Sequence, residues 1–353
     1  MANVTYLIGA GASAGKRGQD NSISEGLPCV NEIPNRLGDY VHLFGDTSVP
    51  DDVWTNSNIG LNSKLDWEST KQRLLSDFQQ LHKQCVQHAT IDTYAKKLIL
   101  RKEMQTFQYL EQLLTLFFMF EQIQLKPDSR YDTFLANILD NQLQIPSNIH
   151  IISWNYDSQF ELAYFEYNPS GLLNIGTKRD KETKDYNIIK INGTASFQKQ
   201  DTNLSNMREE IKKQLSDISK APTTSSVYQE QRQALLKHII YNYHLYIVGR
   251  QQNTNLSFAF DNYSPSEAIY SSIDNIVRET DTLVIIGYTF PFFNRGIDRR
   301  ILYKLKPYAK IYIQDLNPQY VKQNLQAALT EAQRNIRIEE LERTDQFYLP
   351  PEL

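Results

Sequence analysis

The chain has 353 residues, of which 41% are hydrophobic and 22% charged, a composition typical of a globular protein and not of a disordered one. Its formal net charge of −4 and its pI near 5.9 argue against a dedicated nucleic-acid binder, so we expect no direct contact with nucleic acid. Its 2 cysteines exclude a four-cysteine zinc module and a framework of several disulfides.

The sequence also bears on location and on metal binding. It has no charged N-terminal segment leading into a long apolar run, and no stretch approaches eighteen uninterrupted apolar residues, so we expect a cytoplasmic protein without membrane contact. His82, Cys85 and His88 are evenly spaced. On a helix, however, two steps of three residues turn the outer pair roughly 120° apart, so we expect no metal site there.

The first part of the chain opens with a strand and continues into a helical region. The apolar run Val4–Ile8 predicts a buried strand that enters a tight turn at Gly9-Ala10-Gly11. From Gly15 to about Ser63 the sequence is rich in Gly, Asn, Asp, Ser and Pro, which predicts a long loop with short helical pieces. Apolar residues at helical spacing then predict a helical insertion subdomain over 64–140, with its last helix around Tyr131 to Asp140.

The second part of the chain alternates strands with helices. Helices are predicted over Pro265–Glu279 and within a smaller insertion at 201–240. The predicted strands are Ile149–Trp154, Asn187–Ile191, Leu245–Val248, Thr282–Ile286 and, as the last clear parallel strand, Ile311–Ile313. Short apolar strands that alternate with helices indicate a parallel sheet covered on both faces. We therefore expect an α/β fold in which residues 1–353 form one Rossmann-like domain with two helical insertions.

Polar or glycine-containing turns follow five of the predicted strands. They are Gly9-Ala10-Gly11-Ala12-Ser13, Ser153-Trp154-Asn155-Tyr156-Asp157, Lys190-Ile191-Asn192-Gly193-Thr194, Gly287-Tyr288-Thr289-Phe290-Pro291 and Asp315-Leu316-Asn317-Pro318. Ligands of open parallel sheets bind outside the carboxyl ends of the strands, so five such turns predict one shared crevice. In each turn these residues could also be present only because they favour the turn conformation, and Asn155 or Asp157 could instead cap a helix.

The first turn matches neither of two common phosphate-binding fingerprints. A P-loop requires Gly-Lys-Ser/Thr after an earlier glycine, whereas here Gly15-Lys16 is followed by Arg17 and the earlier position is Ala10. A dehydrogenase fingerprint requires a second strand with an acidic residue about twenty positions later, whereas here Glu25-Gly26-Leu27-Pro28 follows. The sequence therefore disfavours an ATPase and a hydride-transfer enzyme.

Together and in this order, the motifs resemble the sirtuin-like NAD-binding domain, and more closely the sirtuin-like domains of bacterial anti-phage defence proteins. Gly9-Ala10-Gly11-Ala12-Ser13 with Gly26-Leu27-Pro28 is similar to the family's opening loop, and Trp154-Asn155-Tyr156-Asp157 to its asparagine-containing catalytic segment. Gly287-Tyr288-Thr289-Phe290-Pro291 is similar to its ribose-contacting turn. Two features depart from the family: the chain lacks the four-cysteine zinc ribbon of deacetylating sirtuins, and Asn192-Gly193 replaces the usual His-Gly pair.

The resemblance implies an NAD+ hydrolase of an anti-phage system, with NAD+ as substrate, no metal, and nicotinamide and ADP-ribose as products. It assigns Asn155 to orienting the nicotinamide ribose and the attacking water, Asp157 to supporting the ribosyl cation, and Asn192 to the usual histidine position. The residues expected to contact the nucleotide are Gly9, Ala10, Gly11, Ser13, Pro28, Gly193, Gly287, Thr289 and Asn317. It further implies control by homo-oligomerisation or by a HerA-type ATPase partner.

The identity of Asn192 leaves a second interpretation open. An amide cannot accept a proton near neutral pH, so the chain could instead be a catalytically inactive NAD- or nucleotide-binding assembly module of a defence complex. Cleavage does not require a strong base if the glycosidic bond ionises first, because positioning and electrostatic stabilisation then supply much of the rate enhancement. Hydrolysis therefore remains the leading prediction, and cyclisation of NAD+ is not distinguished from it.

Overall fold

The computed structural model describes residues 2–19, 22–47, 66–169, 171, 173–177, 180–197, 226–249, 253–258, 260 and 267–353. The chain divides into two compact units, each assembled from separate parts of the sequence. The first unit contains Met1–Cys29, Leu125–Thr194 and Leu256–Leu353, and the second contains Val30–Gln124 and Ala195–Asn255.

Several of the strands coincide with apolar runs of the sequence. In the described part of the chain they are β1 (Val4–Ile8), β2 (Ile149–Ser153), β3 (Ile175–Thr177), β4 (Ile188–Lys190), β5 (Gly193–Phe197), β6 (Thr254–Leu256), β7 (Thr282–Ile286), β8 (Lys310–Gln314) and β9 (Arg337–Leu341). Seven of them form one sheet in the order β3-β4-β2-β1-β7-β8-β9, and each neighbouring pair is parallel. Strands β5 and β6 form a separate two-stranded sheet.

Helices cover both faces of the seven-stranded sheet. The described α-helices are α1 (Ile33–Asp46), α2 (Trp67–Gln87), α3 (Ile91–Leu100), α4 (Met104–Gln124), α5 (Ser129–Ile138), α6 (Gln159–Tyr167), α7 (Ser226–Asn242), α8 (Glu267–Glu279), α9 (Arg295–Tyr303) and α10 (Pro318–Gln326). Alternate residues of β1 point to opposite faces, as in any strand. Tyr6 therefore packs with α5 and α6, while Leu7 packs with α8, α9 and α10. This arrangement confirms the predicted Rossmann-like α/β fold.

The second unit is mainly helical. Its core includes an aromatic cluster in which Tyr40 contacts Phe44, Phe78 and Phe117 with ring centroids 5.8–5.9 Å apart. The carboxylate of Glu121 accepts hydrogen bonds from the guanidinium of Arg36 and the hydroxyl of Tyr40, so this buried charge has close partners. Among the residues that the structure describes, no helix is long and apolar enough to cross a membrane.

One predicted local structure, the strand Leu245–Val248, was wrong, and two others were incomplete. The segment Gly15–Ser63 contains α1, because Ile33, Leu37, Tyr40 and Phe44 recur at helical spacing and are buried together. The predicted strand Leu245–Val248 lies in a π-helical segment that continues from α7. Ile311–Ile313 is not the last parallel strand, because β9 follows it at the edge of the sheet, where charged side chains can reach water.

The second unit contains part of each predicted insertion, but its boundaries differ from the predicted ones. Residues 64–140 were predicted to form one insertion, and the second unit contains that stretch as far as Gln124. Helix α5 lies in the first unit, where Tyr131 and Phe134 pack against the sheet. Of the predicted insertion at 201–240, residues 201–225 lie outside the described residues, and α7 belongs to the second unit.

Candidate functional site

The strand order places β1 at the switch point of the sheet. Strand β1 pairs with β2 on one side and with β7 on the other, and both pairings are parallel. The later strands therefore lie on both sides of β1, with β2, β3 and β4 on one side and β7, β8 and β9 on the other. In open α/β sheets, ligands bind outside the carboxyl ends of the strands at such a switch point.

The turns after β1 and β7 are in direct backbone contact. The amide of Gly9 donates to Ile286 O at 3.0 Å, and the amide of Gly11 donates to Gly287 O at 3.0 Å. Gly287 has a φ of +59°, and a β-carbon added to Gly11 would lie 2.7 Å from the Cα atom of Gly287. The structure thus brings the predicted residues Gly9, Gly11 and Gly287 together, and their contact with one another is enough to require glycine.

The hydroxyl of Ser13 joins the turn after β1 to the turn after β2. Ser13 ends a short 3-10 helix, Ala10–Ser13, and its side chain is buried. Its Oγ atom lies 3.0 Å from Asn155 Nδ2, which donates to it, and 3.0 Å from the hydroxyl of Tyr131. It also donates to Asp157 Oδ1 at 3.2 Å. Ser13 therefore fixes both Asn155 and Asp157, and its own hydroxyl is fully used within the protein.

Asn155 and Asp157 each keep one oxygen out of this network. The Nδ2 atom of Asn155 also donates to Gly9 O at 2.9 Å, while its Oδ1 atom accepts no hydrogen bond from the described residues. Asp157 Oδ1 accepts from Ser13 and from the Gln159 amide, while its Oδ2 atom accepts none from them. These two buried side chains therefore each have one oxygen that accepts no hydrogen bond from the described residues, at the carboxyl edge of β2.

The environment of Asp157 changes its acidity. Burial raises the pKa of this carboxyl above its ordinary value, and the positive charge of Lys190 opposes that shift. The Nζ atom of Lys190 forms a buried ion pair of 2.8 Å with Glu161 and donates to the carbonyl oxygen of Asp157. Lys190 therefore anchors the backbone of Asp157 and favours the ionised form of its side chain.

From the sequence, Lys190 was noted only as part of a turn after a strand, and neither Glu161 nor the start of α5 was assigned a role. A lysine at the end of a buried strand and a glutamate in an apolar helix, α6, are the signals that identify the first two. At the start of α5, Asp128 Oδ2 accepts from the Gly15 amide at 2.7 Å, and Arg130 donates to Gly11 O at 2.8 Å. The N-terminus of α5 therefore holds both ends of the turn that carries Ser13.

Asn192 joins the turn after β4 to the turn after β2. Its Nδ2 atom donates to Trp154 O at 2.9 Å, whereas its buried Oδ1 atom has no hydrogen-bond partner among the described residues. The Trp154 ring stacks on Tyr288, with ring centroids 5.1 Å apart. Gly193, with a φ of +67°, begins β5 directly after Asn192. The turns after β4, β2 and β7 are therefore connected through Trp154.

The remaining predicted contact residues lie outside the Ser13 network. Pro28 is buried and follows Leu27, whose amide donates to Ser13 O at 2.7 Å. Ala10 and Thr289 are exposed, and the carbonyl oxygen of Thr289 accepts from Asn324. Asn317 is also exposed and caps α10 by accepting from the Tyr320 amide at 3.2 Å.

A second buried acid lies next to the stacked pair. The hydroxyl of Tyr288 donates to Asp298 Oδ1 at 2.8 Å and accepts from Asn294 at 3.1 Å. Burial raises the pKa of Asp298 to about 8, partly opposed by the hydrogen bond from Tyr288 and the charge of Arg295. In the described part of the chain, no group of three or more His, Cys, Asp or Glu residues could hold a metal ion.

Comparisons with known proteins give no family for this chain. No model of a protein family matches the sequence, and no curated protein matches it either.

Proposed function

We propose that this protein is an NAD+ hydrolase that cleaves the bond between nicotinamide and ribose and releases nicotinamide and ADP-ribose. One observation carries the proposal: Asn155 and Asp157 are both hydrogen-bonded to Ser13, beside the switch point of a parallel sheet. Their unused oxygens lie at the edge where ligands of such sheets bind. Hydroxyl groups of a ribose and a water molecule are suitable donors to these oxygens.

The proposed reaction suits this set of side chains. When the glycosidic bond breaks, its electron pair goes to the pyridine nitrogen, and positive charge develops on the ribosyl carbon. The ionised carboxylate of Asp157 would stabilise that charge, because a fixed opposite charge in a poorly solvated site acts strongly on a developing cation. Asn155 Oδ1 would orient the attacking water, whose oxygen bonds to the ribosyl carbon and whose proton leaves to solvent.

Asn192 does not prevent this reaction. A ribosyl cation is reactive enough for positioned water to attack it without a strong base, so orientation replaces proton abstraction as the main requirement. The amide of Asn192 is already held by Trp154 O, and its free Oδ1 atom can accept a hydrogen bond from a ligand. Asn192 would therefore act by hydrogen bonding where a histidine would otherwise act.

The other predicted residues suit the distant half of the same substrate. The exposed Ala10 lies in the turn after β1, while Thr289 and Asn317 follow β7 and β8. Strand β8 lies three strand spacings from β2, or about 14 Å, since neighbouring strands are about 4.8 Å apart. A ligand with a ribose at each end and a pyrophosphate between them could span that distance. The anti-phage role and control by self-assembly or a HerA-type ATPase rest on the resemblance alone.

Product analysis tests this proposal. The purified protein is incubated with NAD+, and the products are separated by chromatography, beside Asp157→Asn and the surface control Asp132→Asn. We expect equal amounts of nicotinamide and ADP-ribose, a loss of at least a hundredfold in Asp157→Asn, and no change in Asp132→Asn. Cyclic ADP-ribose as the main product would contradict hydrolysis, and NAD+ bound without nicotinamide release would favour the assembly module.

A further inference from the structure

A concave feature lies on the α5 face of the sheet, apart from the residues of the candidate hydrolase site. It is a cavity of about 470 Å³, within the range of sites that hold small molecules. Helix α5 lines it through Thr133, Phe134 and Asn137. The ends of β8 and β9, together with residues near the C-terminus, complete the lining. None of the residues assigned to the candidate hydrolase site lines this cavity.

The C-terminal wall of the cavity is held in place by Gln314. The Nε2 atom of Gln314 donates to Arg343 O at 2.6 Å and to Gln346 O at 2.7 Å, and its Oε1 atom accepts from the Tyr348 amide at 3.0 Å. Gln314 is buried, so these hydrogen bonds satisfy a side chain that water does not reach. The cavity is therefore part of the fold and not a gap beside a loose tail.

The lining has an apolar base and a polar rim, in which Arg343 is the one charged side chain among the described residues. Phe134 and Phe347 are buried, with ring centroids 5.8 Å apart. Thr133 and Asn137 are exposed; the Nδ2 atom of Asn137 donates to Thr133 O at 2.7 Å, and its Oδ1 atom accepts no hydrogen bond from the described residues. The guanidinium of Arg343 is paired with Asp345, with Nη2 2.8 Å from Oδ2. The cavity therefore suits a flat, uncharged ring system with hydrogen-bonding groups at its edge.

One side chain connects this cavity with the turn that carries Ser13. The ring of Phe347 lies 5.0 Å from the ring centroid of Tyr131 and 5.0 Å from the guanidinium carbon of Arg130. The hydroxyl of Tyr131 is hydrogen-bonded to Ser13, and Arg130 donates to Gly11 O. A molecule that restricts Phe347 would therefore restrict both side chains that hold this turn.

The geometry points to a second binding site in this cavity, for a flat, uncharged heteroaromatic molecule of roughly nucleoside size. Its occupant packs against Phe134 and Phe347 and bonds to the amide of Asn137. By fixing Phe347, it stiffens the turn between Gly9 and Ser13. Binding in this cavity and the stiffening of the turn do not depend on whether the protein cleaves NAD+.

A fluorescent nucleoside tests the site. The full-length protein is titrated with 2-aminopurine riboside, and binding is followed by fluorescence anisotropy. We expect saturable one-to-one binding that Asn137→Trp weakens at least tenfold, because the indole ring fills the cavity. Ala136→Trp, an exposed neighbour on α5 outside the lining, is the matched control and should bind as the parent protein does.

Three results would refute binding in this cavity. They are no saturable binding, equal binding by Asn137→Trp and the parent protein, and binding that is lost in Asn155→Ala but kept in Asn137→Trp. Hydrogen–deuterium exchange tests the connection through Phe347. With the nucleoside bound, peptides covering residues 9–16 and 128–135 should exchange more slowly in the parent protein and in Ala136→Trp. Binding without slower exchange in either peptide would refute the stiffening of the turn.

Discussion

A β-carbon added to Gly287 would lie 2.4 Å from the Cα atom of Gly11. The turns after β1 and β7 therefore touch through their backbones, at the point where the sheet changes its direction of growth. This contact sets the position of the Ala10–Ser13 helix, and hence of the Ser13 hydroxyl that binds Asn155 and Asp157.

Substitution of Gly287 should destabilise the protein strongly. Gly287→Ala adds a β-carbon to a residue with a φ of +59° and against backbone atoms that cannot move aside. We expect the free energy of unfolding to fall by at least about 2 kcal/mol, measured by urea denaturation. Gly296→Ala is the control, because nothing lies within 4 Å of its added β-carbon and α9 should tolerate alanine. Equal stability of the two variants would show that the turns can separate.

The buried ion pair beside Asp157 should be sensitive to loss of one partner. Lys190→Met leaves the carboxylate of Glu161 buried without its cation, which is typically destabilising by about 3–5 kcal/mol. The double variant Lys190→Met/Glu161→Gln removes both charges and should recover much of that loss. Urea denaturation of both variants measures the difference. If the double variant is no more stable than Lys190→Met, the loss comes from packing or from the bond to Asp157 O, and not from the unpaired charge.

The buried carboxyl of Asp298 should make stability depend on pH. Its pKa rises from 3.8 in the unfolded chain to about 8 in the folded protein, so the folded state holds one more proton between those values. The stability that protonated Asp298 contributes is fully present below pH 3.8 and is lost as the pH rises towards 8. The free energy of unfolding should therefore fall by up to about 1.4 kcal/mol per pH unit relative to Asp298→Asn. Parallel pH profiles for the two proteins would contradict this assignment.

The raised pKa of Asp157 should appear in the rate of NAD+ cleavage. Burial favours the protonated carboxyl, whereas stabilisation of a ribosyl cation requires the carboxylate. Nicotinamide release should therefore decrease as the pH falls through this raised pKa, at a higher pH than an exposed aspartate would give. The residual rate of Asp157→Asn should lack this acid limb. An unchanged pH profile in that variant would assign the limb to another group.

The central strands of the sheet could be predicted from the sequence, whereas the edge strand β9 could not. The strands β1, β2, β4 and β7 are short apolar runs because they are buried on both faces, and such runs are visible without any structure. Strand β9, Arg337–Leu341, reads Arg-Ile-Glu-Glu-Leu because an edge strand can carry charges, so the same signal was missing.

The sequence also located the turns of the site but not the contacts among them. From the sequence we placed Asn155 and Asp157 after a strand, and we expected Gly11 and Gly287 to contact the nucleotide. In the structure Gly11 and Gly287 contact each other, and both must be glycine for their backbones to come so close. This contact depends on the pairing of β1 with β7. The roles of Tyr131 and Arg130 come from long-range packing, which a local pattern cannot reveal.

Release of nicotinamide from NAD+ by Asn155→Ala tests the central claim most directly. The matched control is Asn242→Ala, which also removes a buried asparagine whose amide donates to a backbone carbonyl, but in the second unit. Both variants are first shown to be folded by their circular dichroism and thermal unfolding. We expect release by the parent protein and by Asn242→Ala, and its loss in Asn155→Ala. Full release by a folded Asn155→Ala variant would contradict the account.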